Sequence, residues 1–342
     1  MRHFNTTRNL MMIIFMLFIS INIMAEDGLI TEQITITLDE PGTLGSKIGF
    51  KKKSLITNLK IKGALNIDDI KFVREMAGCY YSKNAHYNGN LNHLDLEDAW
   101  FIDSNDKNIQ VYSETGNGFT LSLQEPCVAR FQFCYLTSLR SIVLPSYITS
   151  IENCGFEGCD NLYSVTTPST LTKIGDQAFQ YCKSLSSINL PEGLTYIGCT
   201  AFILCTSLQS IYLPQSLKKI DIGAFQNCTG IKFVYTYNPQ PLTFEDNPFV
   251  WSSSDGRQDD WRRKATLYVP KGSKQSYTKA EYWREFKNIV EFDPTPVLSI
   301  SVTKNINEVS RYSINGMHLD CPSTGINIVK YSDGTVKKVM VK

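Results

Sequence analysis

Between Leu121 and Thr236, apolar and polar positions recur on a fixed beat. Pro145, Pro168, Pro191 and Pro214 stand 23 residues apart, and Phe156, Phe179, Phe202 and Phe225 keep the same interval. So do Cys159, Cys182, Cys205 and Cys228, the column Leu162, Leu185, Leu208 and Ile231, and the column Ile151, Ile174, Ile197 and Ile220. A degenerate coil comes first, with Phe133 in the Phe column and Leu136 in the Cys column. Within one unit, "SLSSINLP" alternates: Leu185, Ile188 and Leu190 face one way and Ser187 and Asn189 the other, the period of two of a strand. Pro191 ends that strand because it has no N–H for a ladder. The piece "LTKIGDQAF" turns Leu171, Ile174, Ala178 and Phe179 inward, with Gly175 at a bend. One such coil cannot bury its apolar side alone. Stacking coils ~4.8 Å apart sets like residues over like and builds a continuous core. The pattern therefore predicts a β-rich repeat solenoid with short helical or turn segments, the Phe and Cys columns forming interior ladders.

The pattern L-x-x-I-x-L-P followed by L-x-x-I-x-x-x-A-F-x-x-C-x-S-L resembles the BspA-like, or Treponema-type, leucine-rich repeats of bacterial surface proteins. The resemblance implies a curved right-handed array with a sheet on one side and a role in adhesion to host or neighbouring cells. An array of this kind exposes its core at both ends unless the ends are covered. Residues 26–120 are expected to supply the N-terminal cap. They begin with the alternating "ITITL", continue through an amphipathic helix in "NIDDIKFVREMAG", and reach an irregular leucine-rich coil in "LNHLDLEDAWFI". The repeats proper span 121–236. Residues 237–293 resemble the C-terminal cap of the same protein group: a strand from Thr266 to Val269, a Pro-Lys-Gly turn, then a helix bearing Tyr277, Tyr282, Trp283 and Phe286. Residues 294–342 form a linker and a β tail with an Asp333-Gly334 hairpin turn. The tail resembles a type IX (Por) secretion sorting domain, although shorter than usual; the other reading is a small structural β-module.

The first 25 residues differ in kind from the rest. Arg2 and Arg8 precede an apolar run from Leu10 to Met24, and Ala25 stands before "EDG", the layout of a signal peptide. An uncleaved anchor is the alternative, but the run is short of the roughly 20 residues a span needs. Cleavage after Ala25 takes the net charge from +1 to −1. A chain so close to neutral carries no electrostatic footprint for nucleic acid. The expectation is an exported protein, secreted or at the cell surface, without a stable membrane span after processing.

Ten cysteines in an exported chain first suggest disulfides. Four of them share a repeat column that also accepts Leu136, so they read as buried thiols filling apolar space. Bridges among Cys79, Cys127, Cys134, Cys154, Cys199 and Cys321 stay open. Candidate chemistry is thin. His86, His93 and His318 lie outside the repeats, no zinc spacing or G-x-S-x-G occurs, and "DSNDKN" (Asp103–Asn108) reads as a solvated turn rather than a calcium loop. No catalytic residue, metal or cofactor is expected; a third reading, an enzyme, would use the Asp255–Lys264 loop. What remains is surface. Outward positions along the stack change from Ser and Thr to aromatics, which nominates Tyr212, Phe233, Tyr235 and Tyr237, with Asn189 beside them, as a binding patch for an extracellular protein or glycan. The competing expectation is that the C-terminal cap or the "FVW" loop folds over them. The tail would engage the secretion machinery. In the alternative function, the solenoid is a structural component that self-associates.

Overall fold

The computed structural model describes residues 28–82, 85–103, 107–250 and 260–293, together with strands at 308–313, 318–319, 325–331 and 336–341. Residues 1–27, which include the expected signal peptide, half of the "DSNDKN" turn, Trp251, residues 255–259 of the candidate loop, the linker and Cys321 lie outside the described residues. The chain divides into two units, Met1–Phe292 and Asp293–Lys342.

In the first unit each coil between Cys127 and Thr236 contributes one strand to each of two parallel stacks, the first of which continues into the flanking segments. On one side run Ile34–Leu38, Asn58–Leu65, His93–Asp95, Ser141–Val143, Ser164–Thr166 and Ser187–Ile188, with Ala99–Phe101 also beside Asn58–Leu65. A four-stranded parallel sheet of Ser210–Leu213, Phe233–Thr236, Thr266–Pro270 and Asn288–Phe292 follows. On the other side stack Cys127–Val128, Ser150–Ile151, Lys173–Ile174, Tyr196–Ile197 and Lys219–Ile220. The register keeps the 23-residue beat, as in Ser141↔Ser164 and Ser164↔Ser187. The irregular coil joins the same ladder, because Leu94 pairs with Ile142. Between them the chain makes an excursion the pattern did not announce, a four-stranded antiparallel sheet of Tyr80–Ser82, Ala85–His86, Ile109–Tyr112 and Gly118–Leu121.

The Phe column is continuous. Phe133, Phe156, Phe179, Phe202 and Phe225 are at most 1% exposed, and successive ring centroids lie 5.3, 5.2, 5.2 and 5.2 Å apart. Beyond the first pair the rings are parallel within 7°. The thiols do more than fill space. Cys159, Cys182, Cys205 and Cys228 each donate Sγ–H to the carbonyl of Phe133, Phe156, Phe179 and Phe202, at 2.9–3.2 Å. The next carbonyl in the series, Phe225 O, accepts the indole Nε1 of Trp261 instead, at 3.1 Å. Leu136 opens the column without a donor. The residue 26 positions before it, where each thiol finds its carbonyl, is Gln110, in the antiparallel excursion. All nine described cysteines are free, so the open disulfide expectation is not met among them.

A second columnar feature has no glycine signature. Phe131, Cys154, Gln177, Thr200 and Gly223 have φ of 63°, 58°, 57°, 49° and 63°, and Tyr135, Gly158, Tyr181, Leu204 and Asn227 have φ of 54–70°. Left-handed backbone costs an L-residue about 1–2 kcal/mol. It persists here because it aims each N–H at the next coil: Cys154, Gln177 and Thr200 donate to the carbonyls of Asp176, Cys199 and Ile222 at 2.9–3.0 Å. Gly175, expected at a bend, is absent from this set. A side chain there would stand 2.6 Å from Asn153 Oδ1, so the position needs glycine for close approach of the coil below.

Helices occur at the two ends. α1 (Leu44–Ile48) is short, and α2 (Ile67–Met76) buries Ile67, Ile70, Phe72, Val73 and Met76. Asn66 caps α2 in a reciprocal box with Asp69. The Asp69 carboxylate also accepts from Gly42 N and Leu44 N, tying the preceding loop to the helix. At the other end the expected helix is broken. α3 spans only Lys274–Lys279, Tyr282 is left-handed at φ 63°, and Trp283–Glu285 is a separate 3₁₀ turn. In one continuous helix, Tyr277 and Trp283 would lie about 120° apart around the axis. The break lets both be fully buried, with their polar tips on Asn238 O and Leu242 O.

The second unit carries an antiparallel sheet in the order His318–Leu319, Glu308–Ser313, Gly325–Tyr331, Val336–Val341. Its last two strands pair on either side of the expected Asp333-Gly334 turn, which itself lies outside the described residues.

Candidate binding surface

Strand alternation puts Ile211, Val234 and Leu267 inside and their neighbours outside. The parallel register then sets outward residues in rows. Tyr212 pairs with Tyr235 and Tyr235 with Tyr268; Ser210 pairs with Phe233 and Phe233 with Thr266. The three tyrosines form a stacked ladder, with centroids 4.7 and 4.5 Å apart and ring planes within 8°. Phe292 meets Tyr235 and Tyr237 edge-on at 6.0 and 5.5 Å. Tyr212 and Phe233 are 44% and 41% exposed.

Of the sequence candidates, the structure brings Tyr212, Phe233, Tyr235 and Tyr237 onto one face. Asn189 is exposed at the end of Ser187–Ile188, on the neighbouring sheet, and its carbonyl accepts from the Thr167 hydroxyl at 2.6 Å. Phe249 of the "FVW" loop does not cover the patch: it is fully buried, against Trp261, Trp283 and Phe286, while Trp251 lies outside the described residues. The C-terminal segment extends the row through Tyr268 and, through Phe292, partly covers Tyr235 and Tyr237, so the expectation of a covering cap is met in part. Sequence reading missed Tyr268 and Phe292. The signal was present, since "TLYVP" repeats the layout of "SIYLP" with tyrosine in the same place.

Stacking uses up ring faces, so the ladder shows solvent its edges and hydroxyls. Aromatic edges are the positive part of the ring quadrupole and favour oxygen acceptors. Burial pushes the Tyr235 and Tyr237 hydroxyls above the ordinary phenol range, which keeps them protonated as donors. The facing row of Ser210, Phe233 and Thr266 adds hydroxyls and no charge. Elsewhere, burial pushes the Cys159 thiol to about 12 and holds Cys182 and Cys205 well above the normal range, so none offers a thiolate nucleophile near neutral pH. Among the described residues no group of three His, Cys, Asp or Glu side chains could hold a metal, and no helix is long and apolar enough to cross a membrane.

Comparison with solved structures returns bacterial leucine-rich-repeat proteins. A leucine rich repeat protein of T. pallidum is 35% identical, with 34% of this chain and 53% of that one covered and a TM-score of 0.32. One from Bacteroides ovatus is 21% identical, covering 47% and 38%, TM-score 0.33. A leucine rich cell surface protein from Faecalibacterium prausnitzii is 15% identical, covering 75% and 59%, TM-score 0.32. This chain thus spans less than two thirds of each. No curated protein matches it. The repeat segment itself, residues 128–254, matches the family described as BspA type Leucine rich repeat region, in six copies.

Proposed function

We propose that this is an exported, non-enzymatic recognition protein of the bacterial surface, and that its ligand is an extracellular glycan held along the Tyr212–Tyr235–Tyr268 ladder. The observation that carries the reading is an uncharged row of tyrosine edges and hydroxyls, kept in register by the backbone, to which no described protein group hydrogen-bonds. Tyrosine supplies such contacts with little rotamer entropy to lose. The similarity of residues 128–254 to BspA type repeats and the signal-peptide layout of residues 1–25 support export. On this reading the helical and antiparallel N-terminal region and the Trp-rich C-terminal segment cap the core, and the tail serves the type IX machinery.

The test is a glycan array probed with the mature chain and with a Tyr212→Ser/Tyr235→Ser variant whose circular dichroism and melting are unchanged. Retention that disappears in the variant supports the proposal. Retention on matrix proteins alone would transfer the surface to a protein ligand. No retention, together with concentration-dependent oligomers in light scattering, would favour the self-associating structural role.

A further inference from the structure

Away from the tyrosine ladder, where α2 meets the antiparallel excursion, lies a cavity of about 330 Å³. Its lining includes Lys71, Arg74 and Glu75 of α2, the Cys79 thiol, and Tyr80 and Tyr112 of the sheet. Arg74 is only 2% exposed. Its Nη1 donates to the carbonyls of Phe131 and Gln132 at 3.2 and 2.9 Å, which fastens α2 to the first coil. The guanidinium also lies against the Cys134 thiol, and among the described residues its Nη2 has no oxygen or nitrogen acceptor, nor has Nε2 of the buried Gln132 one. Among the described residues no carboxylate forms an ion pair with Arg74, and the neighbouring Glu75 is held by Lys53. Burial pushes the Cys79 thiol up, so no thiolate balances the guanidinium. Lys71 adds a second cation at the exposed rim. A buried cation without a counter-charge is costly, and the arrangement holds its own donor back for an acceptor.

We propose that this cavity binds a small molecule with a carboxylate and a compact apolar body, the carboxylate set between Arg74 and Lys71 and the body against Tyr80 and Tyr112. Cationic donors select the charge and the tyrosine walls select the body, the usual division of labour in a small-molecule site. The site is independent of the glycan reading and survives its failure.

The experiment uses the full mature chain and three acid–amide pairs: phenylacetate, benzoate and hexanoate against phenylacetamide, benzamide and hexanamide. Calorimetric titration and thermal melting are read for each. The expected result is binding and a raised melting temperature with at least one acid and none with its amide. Arg74→Met removes the key donor but also unfastens α2, so Lys71→Glu, at the exposed rim, is the decisive variant. It should leave the unliganded melting temperature in place and weaken the acid by about tenfold or more, the effect of roughly 1.4 kcal/mol. Equal response to acid and amide, no response to any acid, or unchanged acid affinity in Lys71→Glu would each overturn the proposal.

Discussion

Replacing Phe179 by Ala is the sharpest perturbation of the stacked interior. The ring is fully buried and lies between Phe156 and Phe202, 5.2 Å from each. Truncating a buried Phe costs about 3–5 kcal/mol, and an aromatic contact adds about 0.5–1.5 kcal/mol beyond its buried area. With both faces stacked, Phe179→Ala belongs at the top of that range, about 5 kcal/mol. Phe225 has a Phe neighbour in the column on one side only, so Phe225→Ala should cost about 1 kcal/mol less on that account. Urea denaturation followed by circular dichroism measures both. Hydrogen exchange shows whether the loss is shared across coils, since a repeat array need not unfold in one step. A cost below about 1 kcal/mol for Phe179→Ala, the size of a surface change, would refute a sealed aromatic column.

Cys205→Ala removes the thiol donor from the Phe179 carbonyl, which keeps only the Cys182 N–H, and should cost about 1 kcal/mol; Trp261→Phe, which leaves Phe225 O only the Cys228 N–H, should cost at least as much, and urea midpoints report both. Leu204 is left-handed at φ 62° in a column where Asn227 serves naturally, so Leu204→Asn should raise thermal stability by up to about 1 kcal/mol. Alkaline pH should destabilise the protein. The folded-state values of Cys134 and Cys159 are raised, to about 11 and about 12, so their contribution is full below the ordinary thiol value of about 8.5 and is lost as pH climbs towards the folded value. Each thiol then removes up to about 1.4 kcal/mol per pH unit, and Cys134→Val should flatten the measured stability curve between about pH 9 and 11 by that slope.

The repeat was legible because stacking imposes one interval on every interior column, and a column of Phe can be read without knowing which way the chain winds. Other features obey no such rule. The left-handed positions are held by Phe131, Cys154, Gln177 and Thr200, none of which announces positive φ; only the next coil's carbonyls explain them. Leu136 made the Cys column look like simple filling, whereas its thiols answer carbonyls of the preceding coil, a contact visible only once coils are stacked. The break after α3 follows from two large aromatics six residues apart that must both reach the core. On the surface, alternation identified Tyr212 and Tyr235, but Tyr268 comes 33 residues after Tyr235, off the 23-residue beat, and strand pairing was needed to place it in the row. The burial of Arg74 has no mark in the sequence, because it depends on the first coil, whose Phe131 and Gln132 carbonyls accept its guanidinium.

If the coils enclose a dry scaffold, recognition belongs to the outside. Alkylation of the native protein with N-ethylmaleimide, read residue by residue by mass spectrometry, tests it most directly. Cys199, half-buried, should label slowly because burial pushes its thiol up, while Cys159, Cys182, Cys205 and Cys228 stay reduced and unlabelled until denaturant unfolds the array. Rapid labelling of any of those four in the native state, or a disulfide at one of them, would show that the coils do not enclose a sealed core.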